Sequence, residues 1–203
     1  MDLAIYLNAV TALFVIIDPI GAALIFHSLV PVSDTRHRVR MALKAVLISA
    51  ILLLVFGNYG EAFIGKLGIS IDALRISGGL LLFYTAFNMI TQDIEYNQST
   101  ERKDISVFPM SIPMLAGPGS LTLSILLFSS AQSSAEHPVT AQLSVLAAIL
   151  TISSITLVLM LLSQFVKTII GRTGDEILRR FLGVILAALA IQFVADGVTG
   201  MGL

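Results

Sequence analysis

The chain has 203 residues, 56% hydrophobic and 12% charged, with a formal net charge of −1. Soluble domains carry about 25% charged residues, so this composition, with a mean hydropathy of +0.93, excludes an ordinary soluble protein and points to an integral membrane protein. A near-neutral charge gives no bias toward nucleic acid, and the absence of cysteine removes disulfides, thiol nucleophiles and thiolate metal sites.

Six apolar stretches follow one another, at roughly 4–30, 41–60, 72–92, 107–131, 139–164 and 177–200. A helix needs about 20 apolar residues to cross about 30 Å of hydrocarbon. The run Met1-Asp2-Leu3-Ala4-Ile5-Tyr6 has no basic leader, so the first stretch is expected to be retained as a span rather than cleaved. With tryptophan absent, any aromatic belt rests on Tyr and Phe.

The first stretch is interrupted at Asp18-Pro19-Ile20-Gly21. Proline lacks an amide hydrogen and clashes with the preceding turn, but it suits the first position of a new helix. Asp18 then falls at an N-cap. At a rise of about 1.5 Å per residue from Ala4, it lies roughly 21 Å along the span. Asp18 is the one carboxylate deep in an apolar run, and ionisable groups at such depth are usually functional. It can cap its own half-helix, meet a substrate ammonium or carry a coupling proton.

The next loop carries Arg36, Arg38, Arg40 and Lys44. The third stretch contains Leu74-Arg75-Ile76-Ser77-Gly78-Gly79-Leu80-Leu81-Leu82, which resembles Leu178-Arg179-Arg180-Phe181-Leu182-Gly183-Val184-Ile185-Leu186 in the sixth. Asn88 and Gln192 share an offset in these two segments. Gly78 and Gly79 suit close helix approach, and Asn8, Thr11, Ser111, Asn88 and Gln192 suit interhelical hydrogen bonds. Between the halves, Gln92 to Asp104 is polar and reads as a solvated linker.

The fourth stretch repeats the interruption, in Ile112-Pro113-Met114-Leu115-Ala116-Gly117-Pro118-Gly119-Ser120. Gly117 takes the N-cap position, roughly 15 Å from Val107 along the span. A lone proline kink is common in membrane helices. Two breaks at matching places in two halves mark a transporter with its site at the breaks. Two helix starts aimed at one cavity expose N–H groups and positive dipole ends, which suit a carboxylate. The candidate solute-binding residues are Asp18, Pro19, Gly21, Gly117, Pro118, Gly119, Ser120 and Thr122, with Asp18 also the candidate coupling group. His27, His37 and His137 do not cluster, so no metal site is expected.

The loop after span three holds Arg102 and Lys103, and the loop after span five holds Lys167, Arg172, Arg179 and Arg180. The opposite side holds only Lys66 and Arg75. Ten basic residues against two place those three loops in the cytoplasm and both termini outside. Three spans per half is an odd number, so a duplicated unit is necessarily inverted.

The motifs Asp18-Pro19-Ile20-Gly21, Leu74-Arg75-Ile76-Ser77-Gly78-Gly79 and Phe108-Pro109-Met110-Ser111-Ile112-Pro113-Met114-Leu115-Ala116-Gly117-Pro118-Gly119 resemble the MarC family of bacterial and archaeal inner-membrane proteins. The likeness covers essentially the whole chain. It implies kinship with the lysine-exporter superfamily and transport of small neutral amino acids such as glycine and alanine. Many members continue the first break as Gly-Asn-Xaa-Pro-Xaa-Phe, whereas this chain has Gly21-Ala22-Ala23-Leu24-Ile25-Phe26, lacking the amide and the second proline.

The expected architecture is an all-α membrane protein of six transmembrane helices in two inverted three-helix repeats, with breaks in spans one and four. The first repeat covers 1–92, a cytoplasmic linker 93–106, and the second repeat 107–203. The expected function is secondary transport of a small zwitterionic solute across the cytoplasmic membrane, coupled to a proton or sodium ion, with no cofactor and no catalysis. The rival readings are an intramembrane enzyme acting on a lipid-linked substrate and a non-transporting scaffold.

Overall fold

The computed structural model describes residues 2–30, 34–92, 104–134 and 137–202. Helix starts follow local chemistry. Asp2 accepts from the Ala4 and Ile5 amides at 3.0 and 3.1 Å and opens α1 (Leu3–Ile17). Asp18 opens α2 (Pro19–Leu29), and Asp34 accepts from the His37 amide at 2.9 Å to open α3 (Thr35–Lys66). Ser70 caps α4 (Ile71–Thr91) in the same way. These are small oxygen-bearing residues that satisfy orphan first-turn donors. An irregularly wound segment, Ser106–Leu115, precedes α5 (Pro118–Ser134). Pro138 starts α6 (Pro138–Leu161), and α7 runs over Ser163–Gly200.

Among the described residues, five stretches are long and apolar enough to cross a membrane, with α1 and α2 counted together as Leu3–Leu29, or six when the wound segment and α5 count as one span bent by 56°. The sixth stretch, expected at 177–200, is matched by the span Glu176–Gly200, although α7 itself begins at Ser163. Its backbone is interrupted at Gly171 (φ 63°, ψ −177°), ahead of the apolar portion Glu176–Gly200. A φ of that sign is costly for any residue with a Cβ. The linker expected over 93–106 lies mostly outside the described residues; its last three, Asp104 to Ser106, are held by hydrogen bonds from the Ser106 amide and hydroxyl to Asp104.

The wound segment differs from the half-helix expected of span four. Pro109 and Pro113 both follow cis peptide bonds, and Phe108 and Ile112 take extended backbone angles. Residues before proline are pushed out of the helical region, and two missing amide donors prevent a regular ladder. What remains is wide-looped: the Met110 amide reaches Ile105 O (3.2 Å) and the Ala116 amide reaches Ser111 O (2.8 Å). The Ser111 hydroxyl anchors this coil to α3 by donating to Ala45 O at 2.9 Å and to Ser106 O at 2.6 Å.

Helices pair across the two halves. α1 and α2 pack on α6, the wound segment and α5 pack on α3, α4 lies along α7, and α3 touches α6. The α4–α7 seam is close because of glycine, as the sequence indicates. A Cβ on Gly79 would come within 2.7 Å of both the Ala190 carbonyl oxygen and Val194 Cγ2. A Cβ on Gly183 would come within 2.9 Å of Ile90 Cγ1 and 3.2 Å of Ala86 O. The two sets are reciprocal: residues 79 and 183, 86 and 190, and 90 and 194 are each 104 positions apart. Gly79→Ala is therefore expected to cost more than Gly183→Ala. Alanine gains about 1 kcal/mol of helix propensity, but overpacking costs about 1–3 kcal/mol, and at Gly79 the obstacle is backbone. Thermal unfolding in detergent reads the difference; equal melting temperatures for the two variants would contradict the seam.

Asn88 and Gln192 do not bridge helices as expected. Asn88 accepts from Gln92 (3.0 Å) and Gln192 donates to Asp196 (2.6 Å), both one turn along their own helix. Each lies on a helix surface with a nearer partner below it, so the local bond wins. The interhelical role falls instead to Ser111 and to Ser124, whose hydroxyl donates to Leu53 O at 2.7 Å.

Candidate functional site

The first break is made by one residue. Asp18 adopts left-handed angles (φ 47°, ψ 69°). Its amide ends α1 on Phe14 O at 3.1 Å, its carbonyl accepts from Ala22 at 2.9 Å, and its carboxylate Oδ1 accepts from the Gly21 amide at 3.1 Å. Aspartate is one of the few side chains that tolerates this conformation. Gly21 is required by contact, since a Cβ there would sit 2.3 Å from Asp18 Oδ2. With Pro19 lacking an amide and Gly21 capped, the Ile20 amide is the first-turn donor of α2 that this cap leaves over.

The second break is built differently. Gly117 offers no capping side chain, and the Leu121 amide already bonds Gly117 O at 2.9 Å. The donors at the start of α5 are thus the amides of Gly119 and Ser120. Ser120 is buried, and its hydroxyl donates to Leu115 O and Gly117 O, both at 3.0 Å. It ties off the carbonyls at the end of the wound segment. Thr122 donates to Pro118 O at 2.9 Å, and its methyl fills the space over Gly78. Gly119 packs on Leu82, Pro118 is exposed, and Pro19 is buried. So the eight residues form two helix starts in which the hydroxyls of Ser120 and Thr122 already serve backbone carbonyls.

One small cavity lies just before the two breaks, and none of the eight candidate residues lines it. Its walls are Ile17, the last residue of α1; Leu115, the last of the wound segment; Val46, Ser49 and Leu53 of α3; and Ser153 and Thr156 of α6. Its volume is about 10 Å³, at the lower limit for one water. Ser49 donates to Ala45 O and Thr156 to Ile152 O, both at 2.8 Å. Each hydroxyl proton is turned into its own helix, so the oxygen lone pairs are what it can offer a solute. These three hydroxyl residues are absent from the sequence reading. They are mid-span polar residues, Ser49 and those of Ser153-Ser154-Ile155-Thr156, on the two helices that the breaks pack against, and only that packing brings them together. Among the described residues, no group of three His, Cys, Asp or Glu is placed to hold a metal ion.

Paired broken spans closing on a cavity within a bundle of apolar helices define a multi-pass integral membrane protein. The family model of "MarC family integral membrane protein" matches residues 3–202, and the chain belongs to that family. It is similar to a UPF0056 membrane protein of Methanocaldococcus jannaschii, 33% identical over 97% of this chain and 87% of the relative. It is also similar to the UPF0056 membrane protein YvbG of Bacillus subtilis (31% identical, 94% and 92% covered) and to YhcE of Escherichia coli (26%, 98% and 94%). The family thus spans archaea and bacteria. No solved structure matches the chain.

Proposed function

We propose that the protein is a secondary transporter of small neutral amino acids, of the glycine and alanine class, in the cytoplasmic membrane. The observation that carries this reading is that the ends of the two segments before the breaks, Ile17 and Leu115, meet the facing helices α3 and α6 at one cavity. Two inverted three-helix repeats account for the crosswise packing of span one on span five and span four on span two. They also account for the reciprocal glycine contacts of α4 and α7, since a two-fold relation demands that kind of exchange. The Gly119 and Ser120 amides at the start of α5 take the solute carboxylate. Asp18, with the carbonyls at the end of α1, takes the ammonium or a coupling proton or sodium ion. Pro19, Gly21, Gly117 and Pro118 shape the two starts. The cavity is too small for glycine, so the solute enters only when α3 and α6 part from the breaks on one side, as alternating access requires.

Uptake of labelled alanine into proteoliposomes, with and without a proton or sodium gradient, tests this. Transport of glycine, alanine or serine is expected; counterflow of a bulky cationic drug without any small amino acid overturns it. Ser153→Ala, which removes a hydroxyl from the cavity wall on α6 without adding volume, is expected to lower uptake about tenfold, equivalent to about 1.4 kcal/mol, with the melting temperature retained. A lipid-modifying enzyme would instead turn over its substrate without a gradient, and a scaffold would show neither activity.

Both termini lie outside in this reading, as the basic asymmetry directs. A periplasmic phosphatase fused to the C-terminus should be active. An inactive phosphatase beside a fluorescent cytoplasmic reporter at the same point rules out the six-span orientation.

A further inference from the structure

α3 is longer than a membrane crossing needs. Its 32 residues extend for about 48 Å, against about 30 Å of hydrocarbon. The apolar portion begins at Ala45, so Thr35–Lys44 forms a projecting end about 15 Å long, at headgroup level. This end is two-faced. Arg38, Met41, Ala42 and Ala45 are buried in the bundle. On the outer side, Arg36, Arg40 and Lys44 form one ladder at four-residue spacing. Val39, Leu43 and Leu47 form a second beside it, 37%, 39% and 59% exposed. Residues four apart on a helix are surface neighbours. Together the ladders line an open groove of about 1070 Å³.

The charges in this groove are not equivalent. Lys44 is paired with Asp104 at 2.5 Å. The Asp104 carboxyl is held down to about 2, first by its hydrogen bond with Lys44 and then by those from Ser106, so the carboxylate that pairs with Lys44 stays ionised at neutral pH. Arg36 and Arg40 have no ion pair or hydrogen bond among the described residues. Two unmatched guanidiniums lie at the outer end of the groove, and a lipid-exposed apolar ladder continues from them toward the hydrocarbon. Guanidinium recognises phosphate oxygens in a planar fork.

We infer that the basic end of α3 binds an anionic phospholipid, its headgroup phosphate between Arg36 and Arg40 and an acyl chain along Val39, Leu43 and Leu47. Charge complementarity selects the headgroup, and the adjoining apolar ladder selects a lipid over a soluble phosphate. Basic pockets at helix ends on the cytoplasmic side are suited to such headgroups. The inference does not depend on what the protein transports.

Native mass spectrometry of the full chain, exchanged between phosphatidylglycerol and phosphatidylcholine in detergent, tests it. Wild type should retain phosphatidylglycerol preferentially, and the Arg36→Gln/Arg40→Gln double variant should hold it at least about tenfold less well. Both arginines are exposed, and an unchanged melting temperature in detergent without lipid checks that the variant folds. Equal retention of the two lipids by wild type overturns the inference, as does undiminished preference in the double variant. The segment 93–103 carries Asp93, Glu95 and Glu101 and is the other occupant to exclude. Preference emerging only in an Asp93→Asn/Glu95→Gln/Glu101→Gln variant would assign the groove to that segment and likewise overturn it.

Discussion

Asp18→Asn is expected to fold as well as wild type and to lose alanine uptake at least about tenfold, equivalent to about 1.4 kcal/mol. The variant isolates charge from structure. Asparagine tolerates left-handed angles and keeps an oxygen for the Gly21 amide, so the break at φ 47° is preserved. The other two informative variants act on stability. Asp18→Ala removes the cap, worth about 1 kcal/mol, and replaces a residue that tolerates left-handed angles by one that does so less well, a difference of up to about 1 kcal/mol; the sum is about 1–2 kcal/mol. Asp18→Gly removes the cap but tolerates the angles, so it should fall between asparagine and alanine. Denaturant titration of the purified variants gives the stability order, and proteoliposome uptake gives the function. Full uptake by Asp18→Asn would assign Asp18 to the cap alone and remove its charge from the mechanism.

Arg38→Ala should destabilise the fold by about 3–5 kcal/mol. Among the described residues Arg38 is the one charged side chain that is buried, at 7% exposure, and no carboxylate lies within ion-pair distance of it. Its guanidinium donates to Val30 O at 2.9 Å and to the Ser163 hydroxyl at 2.6 Å, and lies 5.3 Å from the Phe26 ring centroid. The Val30 carbonyl follows the last turn of α2, where the helix dipole is negative. A cation without a counter-ion is tolerable there. Truncation leaves two buried acceptors without that donor, each costing about 1–3 kcal/mol, and forfeits the ring contact. Arg38→Lys keeps the charge but cannot span both acceptors, so it should recover only part of the loss. A melting temperature for Arg38→Ala within a degree of wild type would show that the guanidinium is not what joins the end of α2 to the start of α7.

The spans and both break points are legible in the sequence because each rests on local chemistry. Apolar runs mark the crossings, and Asp18-Pro19 and Gly117-Pro118 name the cap and first residue of new helices. The α4–α7 seam is foreshadowed by the glycines of the matched segments. The wound segment was within reach too, since Pro109 and Pro113 each remove a donor and displace the residue before them. A break placed at Gly117-Pro118 alone predicts a half-helix where a coil stands. The cavity walls were not legible. Ser49, Ser153 and Thr156 converge only once the registers of α3 and α6 are set by packing, and isolated hydroxyls in apolar helices usually bond their own backbone, as Ser49 and Thr156 do. Arg38 counted in the sequence only as one basic residue of a loop. It is buried because α3 starts at Thr35, well before its apolar portion, and its first turn packs into the bundle with Arg38 on the inner side.

A junction of one residue is also a mechanical joint with only two torsions, those of Asp18. α2 has 11 residues, a lever about 16 Å long. Turning it by 20° about that pivot carries its far end through roughly 5 Å, on the order of one helical turn's rise. The far end is the one clamped by Arg38 to Ser163. Torque at mid-membrane and a brake near the surface thus act on a single rigid rod. Stiffening the pivot and loosening the brake are opposite perturbations of one degree of freedom.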